Sequence, residues 1–340
     1  MRLLLIHTGG TLMMMGGDPM PLVPEVYTRD IVAEVPVLAR IAEIETQILF
    51  ALDSSDMQPH HWVELAQAIH AALWARDDDG EPRYHGIVVI HGTDTMAYTA
   101  TAVAFLLRGV DRPVVFTGAQ RPLSEVRTDA RDNLVDACYL ATQDLPEVGI
   151  AFGAQLYRGC RATKLDAWGL DAFGSPGCPP LAVLGVTLEV GHHLLEPRAP
   201  GPFDPRIETR VLVVRVFPGL DPRLILAALR TDVRGLVLVA FGSGNLPQRE
   251  NSLIPVVRLA TQRDIPVVVV SQCPRGAVDL RRYEGGTSAL AAGAIGAGTM
   301  SIEATTAKLM VALGRAEAGS RVEAARRAFG ELWAGEYDPD

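Results

Sequence analysis

Lysine is almost missing from this 340-residue chain, which carries only Lys164 and Lys308 among its 31 basic side chains. The four cysteines are scattered, with neither metal-ligand spacing nor a CxxC pair, which excludes a disulfide scaffold and a zinc finger. Cys273 follows a predicted strand and is expected to be a packed thiol. No apolar run approaches the ~20 residues that span a bilayer, and no cationic leader with a cleavage site is recognisable. These absences predict a cytoplasmic protein with reduced thiols and no membrane partner.

The charge of the chain is acidic, with a formal net value of -9. Because no cluster of basic residues forms a stripe, nucleic acid is not expected as a partner. A hydrophobic fraction of 48% with 21% charged residues is typical of a folded globular protein. A chain of this length can form one large or two ordinary domains.

Short apolar runs alternate with helical patterns along the chain. Residues 87–90 are β-branched throughout, which favours a strand buried on both faces, and residues 96–107 follow with a helical pattern. Four prolines make residues 191–210 a semi-rigid linker. The sequence therefore predicts two parallel-sheet α/β domains, a larger N-terminal one at 1–190 and a smaller C-terminal one at 211–340. Further strands are predicted at 2–6, 114–118, 211–216, 235–239 and 267–271.

Residues 12–27 are broken by glycine and proline and fit neither a helix nor a strand pattern. They are predicted to form a long loop. Loops of this length are uncommon in compact domains and often cover active sites. A surface excursion without function is the alternative.

Polar turns follow three of the predicted strands, at the edge where open α/β sheets bind ligands. Threonine, serine and aspartate at such turns also cap helices, so the pattern alone fits an ordinary strand–helix junction. A threonine hydroxyl becomes a nucleophile when a base removes its proton, and a lysine amine serves as that base only where its surroundings lower its pKa. The turns are compatible with acyl transfer but do not require it. The residues of these turns are Thr11, Asp53, Ser54, Ser55, Thr93 and Asp94, and Lys164 from a later polar segment completes the candidate set.

Other polar residues receive structural interpretations. His7 and His91 lie at the ends of buried strands and are interpreted as hydrogen-bonded structural histidines. Asp129, Arg131 and Asp132 are interpreted as the solvated face of a helix. None of them is assigned a catalytic role.

Two threonine motifs carry a family resemblance. Thr8-Gly9-Gly10-Thr11 and His91-Gly92-Thr93-Asp94-Thr95-Met96 resemble the corresponding motifs of bacterial asparaginases. The similarity covers nearly the whole chain and looks closest to the type I, cytoplasmic branch. Further matching segments are Asp53-Ser54-Ser55-Asp56-Met57, Tyr157-Arg158-Gly159, Arg161-Ala162-Thr163-Lys164, Ser243-Gly244-Asn245 and Gln272-Cys273.

The resemblance implies hydrolysis of L-asparagine to L-aspartate and ammonia, with no metal or other cofactor. It assigns Thr11 as the nucleophile, which would form an acyl-enzyme-like intermediate. Thr93, Asp94 and Lys164 would form a second triad that acts as a base.

The resemblance also assigns the substrate contacts and the assembly. Family members form homodimers or homotetramers in which the small domain of one subunit closes the site of another, so Asn245 would lie at a neighbour's site. The groups that would hold the α-amino and α-carboxylate groups of the substrate are Asp53, Ser54, Ser55, Thr93 and Asp94.

Two positions depart from the family pattern. The lid tyrosine of the family belongs roughly ten residues after the first catalytic threonine, where this chain has methionine, proline and leucine at 20–22. Tyr27 lies several positions further on, where it either packs as the lid rejoins the domain or returns to Thr11. Ala240 stands where some type I relatives have an arginine that binds an effector, so activation by asparagine is not expected.

Two other functions fit parts of the pattern. A glutaminase-type ammonia donor for an amidotransferase shares these motifs, although such subunits usually carry a further domain ahead of the catalytic strand. A non-catalytic amino-acid-binding protein would need the serines but not Thr11 or Lys164. One methylene in a pocket changes binding by only ~1–3 kcal/mol, so the preference between asparagine and glutamine stays open.

Overall fold

The computed structural model describes residues 1–17, 20–24, 31–199 and 201–338 and divides into two compact units. The first unit is Met1–Pro205 and the second is Arg206–Asp340. The linker at 191–210 stays a prediction, and Tyr27 lies outside the described residues. Within the described residues, no helix has the length and apolar character needed to cross a membrane.

The first unit contains one large sheet of eight strands and two sheets of two strands, β2 with β3 and β9 with β10, among the described residues. Its strands are β1 Arg2–Gly9, β2 Met14–Gly17, β3 Met20–Pro24, β4 Glu43–Leu52, β5 Gly86–Ile90, β6 Val114–Thr117, β7 Val148–Phe152, β8 Gln155–Arg158, β9 Thr163–Lys164, β10 Phe173–Gly174, β11 Ala182–Leu184 and β12 Leu188–Val190. Its helices are α1 Ile31–Glu34, α2 Pro59–Trp74, α3 Met96–Leu107 and α4 Ala130–Leu140. Short 3-10 turns cover Thr11–Met13, Pro36–Arg40, Ser54–Asp56 and Gly159–Arg161.

The large sheet runs in the order β12-β11-β8-β7-β6-β5-β1-β4. Five neighbouring strands of this sheet are parallel to one another, namely β4, β1, β5, β6 and β7. At the other edge, β8, β11 and β12 pair antiparallel. The edge begins at the β7–β8 hairpin, where Gly153 and Ala154 both have a φ of 59°. Two successive residues with positive φ are typical of the tight turn between antiparallel strands. The predicted α/β class is confirmed, but an all-parallel sheet is wrong at this edge.

The parallel strands β1, β5, β6 and β7 lie in the core because their side chains are largely apolar on both faces, whereas β4 at the edge of the sheet is partly exposed. All five residues of β5 are buried. The helix α3 covers the predicted residues 96–107 and ends at Arg108, whose φ of 55° is left-handed, as is common at a helix end. The parallel pairing brings the carboxyl ends of β1, β4, β5 and β6 to one edge of the sheet, where the polar turns lie.

The described part of residues 12–27 contains two short strands instead of the predicted loop. β2 and β3 pair antiparallel, with Met15 opposite Val23 and Gly17 opposite Met20. The prediction is wrong there because strands of four and five residues, interrupted by glycine and proline, leave too little periodicity to detect.

The second unit contains a smaller parallel sheet in the order β13-β14-β15-β16, which confirms the predicted C-terminal α/β fold. Its strands are β13 Val211–Arg215, β14 Gly235–Ala240, β15 Val267–Ser271 and β16 Ile295–Gly296. Its helices are α5 Pro222–Ala228, α6 Ile254–Gln262, α7 Glu284–Ala291, α8 Ile302–Gly314 and α9 Arg321–Gly330.

Cys273 differs from the other cysteines in its exposure. Cys138, Cys160 and Cys178 are buried, whereas Cys273 is exposed. The expectation of a packed thiol is wrong because β15 ends at Ser271 and Cys273 lies in the exposed segment 273–277 beyond it. The amide of Cys273 donates to Ser271 Oγ over 3.0 Å within that turn.

A fully buried ion pair joins α8 to the C-terminal segment. Lys308 and Glu336 are both 0% exposed and form a salt bridge. The ammonium nitrogen of Lys308 lies 4.9 Å from the ring centre of Trp333, 5.2 Å from that of Tyr337 and 5.6 Å from that of Phe329. Such aromatic faces stabilise a cation that has lost its water. The C-terminal segment is therefore held to α8 by charge as well as by packing.

Glu336→Gln is expected to lower the free energy of unfolding of this unit by about 3–5 kcal/mol, because it leaves a buried ammonium without its counter-charge. Urea unfolding followed by circular dichroism measures the loss. Glu331→Gln is the matched control, since Glu331 accepts from Lys308 through its backbone carbonyl over 2.6 Å, and the substitution keeps that carbonyl. A Glu336→Gln protein whose stability lies within about 1 kcal/mol of the control would contradict the prediction.

Candidate active site

Three polar turns of the first unit touch one another at the carboxyl edge of the sheet. A Cβ added to Gly10 would lie 2.4 Å from the Cα of Gly92, and one added to Gly92 would lie 2.5 Å from Ser54 Oγ. Both glycines are needed for this close approach, because a side chain would push the turns apart. The turns after β1, β4 and β5 therefore form a single site.

Thr11 is placed in this site by the two glycines before it. Gly9 and Gly10 have φ values of 115° and 94°, which glycine adopts without strain. The amide of Gly10 donates to the carbonyl of Leu52 over 3.0 Å and ties the turn after β1 to the end of β4. Thr11 then opens a short 3-10 turn and is partly buried.

Lys164 joins the candidate triad through two hydrogen bonds. Its Nζ donates to Thr93 Oγ1 over 2.9 Å and to Asp94 Oδ1 over 2.7 Å. Thr93 is buried, the Lys164 side chain is 21% exposed, and that of Asp94 is 65% exposed. The amine thus contacts a buried hydroxyl on one side and a solvent-facing carboxylate on the other.

Hydrogen bonds stabilise the proposed substrate-binding turn after β4. Asp53 caps the 3-10 turn, and its Oδ1 accepts from the amide of Ser55 over 2.8 Å. Ser54 is buried and its carbonyl accepts from Thr95 Oγ1 over 2.7 Å. Ser55 is exposed. Hydroxyl and amide donors beside carboxylates suit a ligand that carries both an ammonium and a carboxylate group.

A buried ion pair positions the segment that carries Lys164. Arg158, the last residue of β8, donates to Glu147 through Nε over 2.5 Å and through Nη2 over 2.8 Å. Glu147 also accepts from the amide of Leu195, and Arg158 donates to the carbonyl of His193. Because the side chains of Arg158 and Glu147 are 8% and 3% exposed, this pair fixes the chain shortly before Lys164.

Gln120 and Asp129 have contacts that their local sequence patterns did not indicate. Gln120 follows β6 and its Oε1 accepts from Thr93 Oγ1 over 3.0 Å. Asp129 is 8% exposed and accepts backbone N–H groups, so its interpretation as a solvated residue is wrong. Arg131 and Asp132 are exposed as predicted. A polar residue shortly after a parallel strand was the signal for Gln120.

The two histidines are buried, in agreement with their structural interpretation. His91 is fully buried and its Nδ1 lies 2.8 Å from the carbonyl of Gly92, to which it donates. Burial lowers the pKa of His91 to about 4, and it lowers the pKa of His7 to about 4 as well. Both imidazoles are therefore neutral at pH 7.

The burial of these histidines should make the free energy of unfolding depend on pH. The unfolded chain binds a proton at His91 with a pKa of 6.5, whereas the folded protein does so only near 4, so acidification favours unfolding. Between pH 7 and pH 5 we expect each buried histidine to cost about 2 kcal/mol of unfolding free energy. Urea unfolding of His91→Gln should show a correspondingly smaller loss over this range than the exposed control His192→Gln. Equal losses in the two variants would contradict the assignment.

Asn245 belongs to the second unit and lies in the turn that follows β14. Its amide donates to the carbonyl of Phe241 over 2.9 Å, and its side chain is exposed. Ala240, the last residue of β14, is fully buried.

Comparison with known proteins identifies the family. The sequence model named "Asparaginase, N-terminal" matches residues 2–195, and "Glutaminase/Asparaginase C-terminal domain" matches residues 210–329. The chain belongs to the asparaginase family. Membership in this family confirms the resemblance stated from the threonine motifs and the prediction of an enzyme.

Individual relatives of the family show how far the similarity extends. The L-asparaginase of Thermococcus kodakarensis is 41% identical over 80% of both chains, and its solved structure superposes on the whole chain with a TM-score of 0.87 at 37% identity. L-asparaginase 1 of Escherichia coli is 38% identical over 85% of this chain and 83% of its own. A glutamyl-tRNA(Gln) amidotransferase component from Pyrococcus abyssi is 31% identical over 98% of this chain and 76% of its own.

Proposed function

We propose that the protein hydrolyses L-asparagine to L-aspartate and ammonia. The observation that carries the proposal is the contact of Lys164 with Thr93 and Asp94 beside the turn of Thr11, in a chain whose relatives include L-asparaginases. The contacts place a hydroxyl, an amine and a carboxylate within hydrogen-bond reach, which is what threonine-based acyl transfer needs.

The reaction begins with attack of Thr11 Oγ1 on the carbon of the side-chain amide, and the proton of the hydroxyl passes through water to the leaving nitrogen. The resulting oxyanion is stabilised by N–H groups of the site, and its collapse breaks the C–N bond and releases ammonia once the nitrogen gains a proton. An ester of Thr11 with the aspartyl group remains. Water, which loses a proton to Thr93 and Lys164 acting together, then attacks the ester. The same proton passes to Thr11 Oγ1 as the ester C–O bond breaks and aspartate is freed.

The turn after β4 binds the α-groups of the substrate in this proposal. Ser54 and Ser55 donate to the α-carboxylate, and Asp53 and Asp94 accept from the α-ammonium group. Asp94 is suited to this because more than half of its side chain faces solvent. No metal or other cofactor is required by any of these steps.

The assembly and location of the protein also remain proposals. We expect a cytoplasmic homodimer or homotetramer in which Asn245 of one copy contacts the site of another. The exposure of Asn245 leaves it available for such a contact.

The test of the function is ammonia release from asparagine and glutamine measured side by side. Clear release from asparagine is expected. The ratio of the two kcat/KM values measures the preference between these substrates, which differ by one methylene worth ~1–3 kcal/mol. Release from glutamine alone would favour an ammonia donor, the activity class suggested by the amidotransferase relative. Calorimetric binding of aspartate without ammonia release would favour a binding protein.

The initial rate of ammonia release should increase hyperbolically with the concentration of asparagine. An arginine at position 240 would offer N–H donors to an effector, whereas the buried methyl group of Ala240 offers none. Initial rates over a wide range of asparagine concentrations test this, together with calorimetry of the inactive Thr11→Ala variant. Sigmoidal rates with two asparagines bound per subunit would contradict it.

A further inference from the structure

Segment 118–123, which follows β6, reaches both threonine turns of the candidate site. The amide of Leu123 donates to the carbonyl of Leu12 over 3.0 Å, next to Thr11. Gln120 accepts from Thr93 Oγ1 over 3.0 Å at the other turn. One short segment therefore contacts the surroundings of both hydroxyls.

The orientation of the Gln120 carboxamide is set by the loop that follows Lys164. Its Nε2 donates to the carbonyl of Ala167 over 3.3 Å and to that of Gly169 over 3.2 Å. Turning the amide over would bring its oxygen against these two carbonyl oxygens, which repel it. Oε1 must therefore face Thr93, and the hydroxyl of Thr93 must donate to it.

This orientation gives Thr93 a defined hydrogen-bond arrangement. Its hydroxyl donates to Gln120 and accepts from the ammonium of Lys164. The proton of the hydroxyl thus points away from the amine while that amine is charged. It can turn toward Lys164 once the lysine has lost its own proton, and its bond to Gln120 then breaks. Gln120 therefore fixes the hydroxyl of Thr93 while Lys164 is charged.

The backbone of Gln120 is anchored by a buried carboxylate. Asp129 accepts from the amide of Gln120 over 2.9 Å and from the amide of Arg121 over 3.0 Å. It also accepts from Asn133 Nδ2 over 3.1 Å. Charge-assisted bonds from several N–H groups to one carboxylate are strong and directional, so they fix the shape of the segment.

Asn133 completes the anchor on the first turn of α4. Its Nδ2 also donates to the carbonyl of Gly118 over 3.0 Å, and its Oδ1 accepts from the amide of Gly153 over 3.2 Å. Asn133 is 4% exposed and Asp129 is 8% exposed, so water competes little for these bonds. The anchor joins the starts of segment 118–123 and of α4 to the β7–β8 turn.

We propose that Gln120 and Asp129 are positioning residues of the candidate site. Asp129 fixes the shape of segment 118–123. Gln120 then keeps the hydroxyl of Thr93 and the loop 165–172 in fixed positions relative to Lys164. The proposal rests on the proposed function for its effect on turnover, but the structural linkage can be measured without any reaction.

The kinetic test uses Gln120→Leu and Asp129→Asn. Each is expected to lower kcat for asparagine at least about tenfold while KM changes by less than about threefold, because the substrate-binding turn keeps its own hydrogen bonds. Gln143→Leu is the matched control, since Gln143 makes similar bonds at the far end of α4, and it should retain the turnover of the unaltered protein. Turnover within about twofold of the control in Gln120→Leu would overturn the proposal.

The structural test follows amide hydrogen exchange by mass spectrometry in the intact protein. The amides of Leu165 and Asp166 donate to the carbonyl of Ala172, so they report whether the loop holds its shape. Gln120→Leu should increase exchange over residues 165–171, and Gln120→Glu should do the same because its carboxylate faces the two loop carbonyls. Unchanged exchange in both variants would overturn the proposal.

The two tests separate this proposal from the proposed function. If the unaltered protein released no ammonia but exchange rose in the Gln120 variants, the asparaginase assignment would fail and the linkage would stand. If ammonia were released and neither kcat nor exchange responded, the linkage alone would fail. A far-ultraviolet circular dichroism spectrum unchanged from the control confirms that each variant is folded.

Discussion

Replacing Thr11 or Thr93 with alanine is expected to reduce ammonia release from asparagine by about a thousandfold or more. Thr11 supplies the attacking oxygen in the proposed mechanism, and removing a nucleophile leaves only the catalysis that binding and oxyanion stabilisation provide. Thr93 carries the hydroxyl that Lys164 and Gln120 both contact, so its loss breaks the proposed proton path. Steady-state assays of purified variants measure the effect.

Two comparisons make the threonine result interpretable. Thr11→Ser keeps a hydroxyl and should be far more active than Thr11→Ala, whereas an exposed control, Thr187→Ala, should behave like the unaltered protein. A variant of Thr11 or Thr93 that kept its activity within about tenfold, or ~1.4 kcal/mol of barrier, would remove that residue from the mechanism.

Lys164→Met should lower kcat at least about a hundredfold, because methionine preserves much of the volume but cannot bind a proton. The amine donates to both Thr93 and Asp94, so its removal also takes a donor from the buried hydroxyl of Thr93. Asparagine turnover at neutral pH is the measurement. Binding of aspartate by calorimetry should weaken far less than turnover.

Lys164→Arg tests whether the charge or the proton transfer matters. Arginine keeps the positive charge but does not lose its proton in proteins, so it should be as inactive as methionine if the amine acts as a base. The exposed cation Arg131 provides the control Arg131→Met, which should leave turnover unchanged. An active Lys164→Arg enzyme would show that the role of Lys164 is electrostatic.

The parts of the fold that follow from local sequence were predictable. The helix α3 spans the predicted residues because its apolar positions repeat at helical spacing, and β5 was recognised from its unbroken β-branched run. The turns of Thr11, Ser54 and Thr93 were predicted to share an edge because parallel strands end on the same side. The contacts of Gly10 with Gly92 and of Gly92 with Ser54 confirm that these three turns meet.

The parts that depend on distant partners were not predictable. Asp129 has the same local pattern as a solvated acidic residue, and only the return of segment 118–123 over α4 makes it a buried acceptor. The antiparallel edge of the large sheet depends on two residues with positive φ, one of which is alanine. The carboxamide of Gln120 is oriented by the loop at 165–172, whose contacting carbonyls are 47 and 49 residues away in the chain.

The scarcity of lysine has a practical consequence for chemical labelling. Lys308 is fully buried, and the remaining lysine, Lys164, belongs to the candidate site. Acylating reagents aimed at amines would therefore meet the terminal amino group and then the site itself, so immobilisation through lysine would risk inactivation. A maleimide offers a safer route, because Cys273 is exposed while the other three thiols are buried. A single dye or surface tether could thus be placed on the second unit without any engineered cysteine.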